Sequence, residues 1–410
     1  MKSPDMNPKI LPLNRHLAQA RPSATYKVMD RVAARRGSGA RIISLSAGEP
    51  DFDTPDHIRE AGIAAIRASQ TRYTQVAGLR ALREAIATKF QRENGLQVDW
   101  RHTLVANGGK QVIFNALAAT LNEGDEVIVP APHWVSYPEI VQLCGATPFS
   151  VTCAAETGFK LTPDALHAAL TPRTRWIILN SPSNPTGAVY SREELQALAE
   201  VLLAFPDVLI LSDDIYEHLV FDGLPFHTIA QVEPRLRDRT LTMNGVSKAY
   251  AMTGWRIGFG TGPDWLIDAM EKLQGQQTSG ASTISQHAAL AALNGPQDFI
   301  AQSRTAFKRR RDVVVDAINQ SPGLHAQIPQ GAFYVFASCE ALLGKTTPTG
   351  TQLNTDEDVV NALLDEANVA TVHGSAFGLG RYFRIAYALD DESLSQACHA
   401  IQGFCQSLSR

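Results

Sequence analysis

No apolar run in this 410-residue chain approaches the roughly 18 residues that a membrane-spanning helix needs. The stretch from Met1 to Ala20 has no signal-peptide core. A soluble, cytoplasmic protein with no membrane partner is therefore expected. Cysteine is scarce and odd in number: Cys144, Cys153, Cys339, Cys398 and Cys405, with no CxxC spacing. They read as buried or reduced thiols, not as a disulfide framework or a zinc site. Charge of either sign is not in excess, 37 basic against 41 acidic residues for a net −4, so electrostatics gives no reason to expect a nucleic-acid partner. The one basic run, Lys308-Arg309-Arg310-Arg311, falls in a helical pattern and reads as a solvated face. There is no internal repeat and no GxxxxGK[ST] loop. Gly258-Phe259-Gly260 is only a faint echo of a dinucleotide fingerprint, since no GxGxxG opens a helix there.

What is present is a long alternation of short β-branched runs and amphipathic helices. Strands are expected at residues 103–106, 126–129, 147–151, 176–179, 208–211, 240–243 and 257–260. Helices are expected between most of them, for example at 111–121 and 192–203. This pattern predicts an α/β fold with a mostly parallel central sheet covered by helices on both faces. A helix over about 24–36 and a strand ending near Leu45 precede it. A long helix over about 296–319 follows, then strands at 331–336, 369–372 and 382–387, which read as a smaller α+β domain. The expected division is 1–47 as an N-terminal arm and part of the small domain, 48–298 as the large domain, and 299–410 as the small C-terminal domain.

Polar motifs follow the strand ends, where open α/β sheets bind ligands. After the strand at 103–106 comes Asn107-Gly108-Gly109-Lys110-Gln111. Two glycines opening a helix expose N–H groups at its positive end, as a phosphate seat or as an ordinary glycine turn. Pro130-Ala131-Pro132-His133-Trp134 is a stiff loop whose Trp134 suits either stacking on a planar ring or packing in the core. In Asn180-Ser-Pro-Ser-Asn184-Pro185-Thr-Gly187, Pro185 holds Asn184 extended. Ser212-Asp213-Asp214-Ile215-Tyr216 puts a carboxylate at a strand end, to pair with a protonated pyridine nitrogen, bind Mg²⁺ or cap a helix. No third acidic ligand is nearby, which argues against a metal. Lys248 is the only lysine between Lys160 and Lys272, and its neighbours are small and apolar. Such an amine loses hydration and becomes a nucleophile or forms a Schiff base with an aldehyde. Arg256, eight residues on, is a cation suited to a phosphate.

These stretches, in this order and spacing, resemble the class I pyridoxal-phosphate aminotransferases from about Arg21 to the C-terminal region. The resemblance implies the fold-type-I transferase fold and pyridoxal 5'-phosphate as cofactor. It implies Lys248 as the catalytic, cofactor-bearing lysine, Asp213 on the ring nitrogen, and Asn184 and Tyr216 on the phenolic oxygen. Trp134 would stack on the ring, with Gly108, Gly109, Lys110 and Arg256 around the phosphate. Leu45-Ser46-Ala47-Gly48-Glu49-Pro50 matches the loop whose glycine, here Gly48, lies against substrate. Arg72-Tyr73-Thr74 matches a segment whose Tyr73 reaches the phosphate of a neighbouring subunit, implying a homodimer with shared sites. Arg384 in Tyr382-Phe-Arg384-Ile-Ala-Tyr387 would grip the α-carboxylate, with Trp134 and Asn184 also against substrate. Pro22-Ser23-Ala24-Thr25 is similar to the bacterial aspartate aminotransferase subgroup, in which Lys110 and Thr25 would hold a distal carboxylate. The implied partners are small amino acids and 2-oxo acids. The implied reaction is ping-pong transfer from L-aspartate to 2-oxoglutarate, with prephenate or aromatic amino acids as the alternative within the family. A lyase or decarboxylase using the same cofactor is the weaker alternative. The chain departs from close relatives at Gly245 (Ser in some), His133 (often Tyr) and His287 (Trp).

Overall fold

A computed structural model describes residues 14–409. Its centre is a seven-stranded sheet built from β1 (Thr103–Asn107), β2 (Glu126–Ala131), β3 (Thr147–Thr152), β4 (Thr174–Asn180), β5 (Leu209–Asp213), β6 (Thr240–Gly245) and β7 (Ile257–Thr261). The spatial order is β1-β7-β6-β5-β4-β2-β3. Strand β7 runs antiparallel to both of its neighbours, and the other pairings are parallel. All seven expected strands form, most of them a residue or two longer than the β-branched runs suggest.

The interior strands are apolar on both faces because helices cover both, whereas the edge strand β3 keeps Thr147, Ser150 and Thr152 exposed. Successive side chains go to opposite sides. Ile178 and Leu211 join one core with Val112, Leu117 and Met270, while Ile177 and Ile210 join another with Leu195 and Leu198. Helix α1 spans Ala24–Gly37, α2 Gly109–Thr120, α3 Ser136–Leu143 and α4 Arg192–Leu203. The start of α4 is set by a capping box in which Ser191 and Glu194 satisfy each other's backbone N–H groups.

A second, antiparallel sheet joins β8 (His325–Ala326), β9 (Tyr334–Ser338), β10 (Val372–His373) and β11 (Tyr382–Ala386) in the order β10-β11-β9-β8. Helices α5 (Asp298–Gln320) and α6 (Asp391–Ser407) cover it through Phe307, Val314, Ile401 and Phe404. Ile43–Ser44 pairs with Val369–Ala370, which attaches the N-terminal segment to this unit. The strand expected at 331–336 begins only at Tyr334, and the one expected at 369–372 is split between two sheets.

The basic run corrects an expectation. Arg309 is exposed and Lys308 half-buried, but Arg310 and Arg311 are buried. Arg310 donates to Asp51 at 2.7 Å and Asp391 at 3.0 Å, and Arg311 donates to Asp222 at 2.5 Å. Long guanidinium side chains found carboxylates remote in sequence, which no local pattern displays. All five cysteines are unpaired, and no described helix is long and apolar enough to cross a membrane.

Candidate active site

The carboxyl ends of β4, β5 and β6 and the first turn of α2 meet at one cavity of about 510 Å³. Lys248 lies in the turn after β6 and is half-buried. Its Nζ donates to the Gly48 carbonyl at 2.6 Å. Burial lowers its pKa to about 8; Glu49 opposes the shift and Arg256 and Arg384 reinforce it.

Asp213 closes β5 and is only 3% exposed. Burial raises its pKa to about 6, against a hydrogen bond of 2.6 Å from the Tyr137 hydroxyl to Oδ2 and one of 3.3 Å from the Ile215 N–H to Oδ1. Asn180, at the end of β4, donates to the Asp213 carbonyl at 2.9 Å and accepts from the Asn184 N–H at 2.9 Å. That pair ties the two strand ends together and places Asn184, whose Oδ1 accepts from Arg384 Nη1 at 3.0 Å. Arg384 is buried on β11 and its Nη2 donates to the Ser46 carbonyl at 2.6 Å. Its Nε has no partner, although it is buried. The guanidinium carbon stands 4.7 Å from the Tyr334 ring centroid, and the Tyr334 hydroxyl meets that of Tyr216 at 2.7 Å.

The opposite wall is glycine-lined. Gly108 has φ +80°, and a Cβ there would lie 2.4 Å from Arg256 Nη2. A Cβ on Gly258 would lie 2.2 Å from the Gly109 nitrogen, so β7 approaches the start of α2 this closely only as glycine. Arg256 itself is left-handed at φ +57° and donates to the Thr253 carbonyl at 2.9 Å. Ser247 also lines the cavity, so a hydroxyl is available there although Gly245 carries none. These groups could hold a phosphate, with N–H donors at a helix N-terminus and a guanidinium beside them. Trp134 faces the same cavity, with Lys110 Nζ 4.9 Å from its ring centroid. Lys110 is exposed overall, yet desolvation of its amine, then Arg256, lowers its pKa.

Of the residues singled out from sequence, the cavity gathers Thr25, Gly48, Gly109, Lys110, Trp134, Asn184, Asp213, Tyr216, Lys248, Arg256 and Arg384, with Gly108 against Arg256. It does not gather Tyr73, which is 91% exposed and lies in a separate surface depression beside Ser279 and Thr283. His133 and His287 do not line it either. The His133 N–H is bonded to the Phe377 carbonyl at 2.9 Å. Four contributors had escaped notice: Tyr137, Tyr334, Asn180 and Ser247. Asn180 opens the motif after β4, Ser247 directly precedes Lys248 and Tyr137 stands three residues after Trp134, whereas Tyr334 is remote in sequence from every motif.

A sequence model of the family described as aminotransferase class I and II matches residues 40–401. A Rhizobium leguminosarum protein named probable aspartate/prephenate aminotransferase is 56% identical over 389 residues, 95% of this chain and 97% of its own. A Cereibacter sphaeroides aspartate/prephenate aminotransferase is 56% identical over 393 residues, 96% of this chain and 98% of its own. The crystal structure of the Rhizobium meliloti aspartate aminotransferase superposes with a TM-score of 0.95 at 50% identity, covering 97% of this chain and all of that one. The Thermus thermophilus aspartate aminotransferase with maleate gives 0.90 at 40% identity, covering 96% of this chain and all of that one.

Proposed function

Because this chain belongs to the class I and II aminotransferase family, we propose that it transfers the amino group of L-aspartate to 2-oxoglutarate, with pyridoxal 5'-phosphate held in the cavity. One observation carries this reading. A lysine of lowered pKa, a buried carboxylate and a buried arginine with an unused Nε share a cavity with a glycine-and-arginine phosphate seat. The donor set fits the cofactor group by group: Gly108, Gly109, Ser247 and Arg256 for the phosphate, Asp213 for the ring nitrogen, Asn184 and Tyr216 for the phenolic oxygen, and Trp134 for the ring face. When bound, the cofactor supplies an electrophilic aldehyde and an electron-accepting ring.

The chain's own residues do the rest. Arg384 takes the substrate α-carboxylate, using donors that its contacts with Asn184 and Ser46 leave free. Lys110 and Thr25, at the mouth, take the distal carboxylate. Lys248 Nζ, with a pKa of about 8, is partly unprotonated near neutrality and moves the α-proton as general base. Asp213 in its carboxylate form keeps a proton on the ring nitrogen. Burial of Arg384, Tyr216 and Tyr334 keeps water from that side. The Thermus enzyme was solved with maleate, a dicarboxylate, which supports a substrate with two carboxylates.

The full assembly in this reading is a cytoplasmic homodimer in which Tyr73 serves the partner's phosphate. Of the expected N-terminal arm and part of the small domain at 1–47, residues 1–13 lie outside the described ones; the rest joins the small C-terminal domain of 299–410, beside the large domain of 48–298. Prephenate is the second acceptor, favoured by the names of the two relatives at 56% identity. The test is a coupled assay of oxaloacetate release from aspartate and 2-oxoglutarate. Wild-type protein should turn over, and Lys248→Ala should lose at least about a thousandfold. A Lys248→Ala protein working at the normal rate would sink the assignment. Full activity in a monomer at high dilution would sink the shared site.

A further inference from the structure

Among the described residues, helix α1 packs one apolar face into the fold and leaves Tyr26 and Met29 partly exposed. Val28 and Val32 pack against Ile42, Leu364 and Ala370, and Ala24 packs against the cluster of Val135, Phe336 and Phe377. Tyr26 and Met29, three residues apart and so on one side of the helix, point elsewhere. They are 61% and 38% exposed, and both line the cavity, as Thr25 does.

An acyclic dicarboxylate does not need them. Its two carboxylates are read by Arg384 and by Lys110 with Thr25, and its short carbon chain reaches no further. The cavity also has apolar lining: the Trp134 ring, whose centroid lies 4.9 Å from the Lys110 amine, and Ile113, Met29 and Tyr26, the last next in sequence to Thr25. A substrate whose second carboxylate sits on a six-membered ring would bring apolar surface to this place. It would take Tyr26 and Met29 out of water, a gain proportional to the area covered.

We propose that Tyr26 and Met29 form a ring subsite for a cyclic dicarboxylic 2-oxo acid of the prephenate type, and that they set the preference between cyclic and acyclic acceptors. This rests on the transamination reading above. It adds two specificity-determining side chains and a physical reason for one protein to serve both acceptor classes. A flexible thioether beside an aromatic ring adapts to a non-planar ring better than a rigid aliphatic wall would.

The test uses the holoenzyme with L-glutamate as donor and compares kcat/KM for prephenate with kcat/KM for oxaloacetate. Tyr26→Ala is expected to lower the prephenate-to-oxaloacetate ratio about five- to tenfold, and Tyr26→Ala/Met29→Ala further, the scale of losing a hydrophobic pocket contact. Tyr26→Phe keeps the apolar face and should keep the ratio within about twofold. Oxaloacetate turnover in each variant reports that it is folded. A ratio unchanged in the double variant, or wild-type protein that aminates oxaloacetate and not prephenate, overturns the ring subsite. Wild-type protein that aminates neither instead overturns the parent reading.

Discussion

The Tyr137 hydroxyl donates to Asp213 Oδ2 across 2.6 Å, and both side chains are buried. This bond opposes the burial that pushes the Asp213 pKa up to about 6. Removing it raises that pKa further, because the carboxylate loses a donor that favoured its charged form. In cofactor-free protein Tyr137→Phe should therefore raise the Asp213 pKa by about one unit, since one unit is ~1.4 kcal/mol, the scale of one bond to a charged group, as carboxyl-carbon NMR titration can check. An unmoved pKa would mean that the Tyr137 bond does not support the carboxylate.

Asp213 and Asp214 are neighbours with opposite expectations. The Asp214 carboxyl is pushed up to about 8, by burial first and by Glu217 as well, so it is mostly neutral at pH 7. Asp214→Asn replaces a neutral acid by a neutral amide and should change kcat/KM by less than about threefold (~0.6 kcal/mol). Asp213→Asn should cost about a hundredfold or more, since the amide cannot hold a proton on the ring nitrogen. Stability runs the other way. Both folded-state pKa values lie above their unfolded ones, so the favourable contribution is complete below about pH 4 and is lost as pH rises through about 6 and about 8. Cofactor-free Asp213→Asn should thus melt no lower than wild type at pH 8, as differential scanning calorimetry can check.

Lys248 titrates in the opposite sense to those acids. Its amine is held to about 8, below the ordinary lysine value of 10.5, so it becomes nucleophilic at lower pH than other lysines. Labelling of cofactor-free protein with a neutral acylating reagent, read by peptide mass spectrometry, should show Lys248 modification rising with a midpoint near 8. Arg256→Gln and Arg384→Gln should each raise that midpoint, because both cations help to lower it. A midpoint near 10 in wild type would remove the general-base assignment.

Behind the Asp213–Tyr216 turn, Lys89 donates to Glu217 and, at 2.8 Å, to Asn94, and both ionic side chains are almost fully buried. Glu93, Glu217 and His218 are close enough to hold a metal ion, but the Lys89 amine already supplies the cation there. Removing one member strands the other charge out of water. Lys89→Met should cost about 3–5 kcal/mol in urea unfolding of the cofactor-free protein, and Lys89→Met/Glu217→Gln clearly less than the sum of the single changes. Additive losses would mean that the pair is not coupled.

The site was legible from sequence wherever a motif follows its strand directly, because the strand end fixes where the next residues point. Asn184, Asp213 and Lys248 are of this kind, and Gly108-Gly109 announced its own conformation. Tyr334 was not legible. It reaches the cavity from the second sheet, and its contact with Tyr216 joins positions 118 residues apart in sequence. The same holds for Arg310 and Arg311, whose carboxylate partners Asp51 and Asp222 lie 259 and 89 residues away. Tyr73 was singled out only by resemblance, and in the single chain it lies outside the cavity, 91% exposed.

Lys110 stands between two duties, since the resemblance places it both in the phosphate loop and at the distal carboxylate. Its amine lies 4.9 Å from the Trp134 ring centroid, while Arg256 is the cation against Gly108. If the amine reads substrate, Lys110→Ala should lower kcat/KM for aspartate about a hundredfold, the loss of one charge-assisted contact of ~3 kcal/mol. It should leave alanine, which has no distal carboxylate, within about threefold of wild type. If the amine serves the phosphate, both substrates should suffer alike and cofactor affinity should fall. Single-turnover absorbance changes with aspartate and alanine, beside a cofactor titration followed by tryptophan fluorescence, distinguish the two. Equal losses on the two amino acids would return Lys110 to the phosphate.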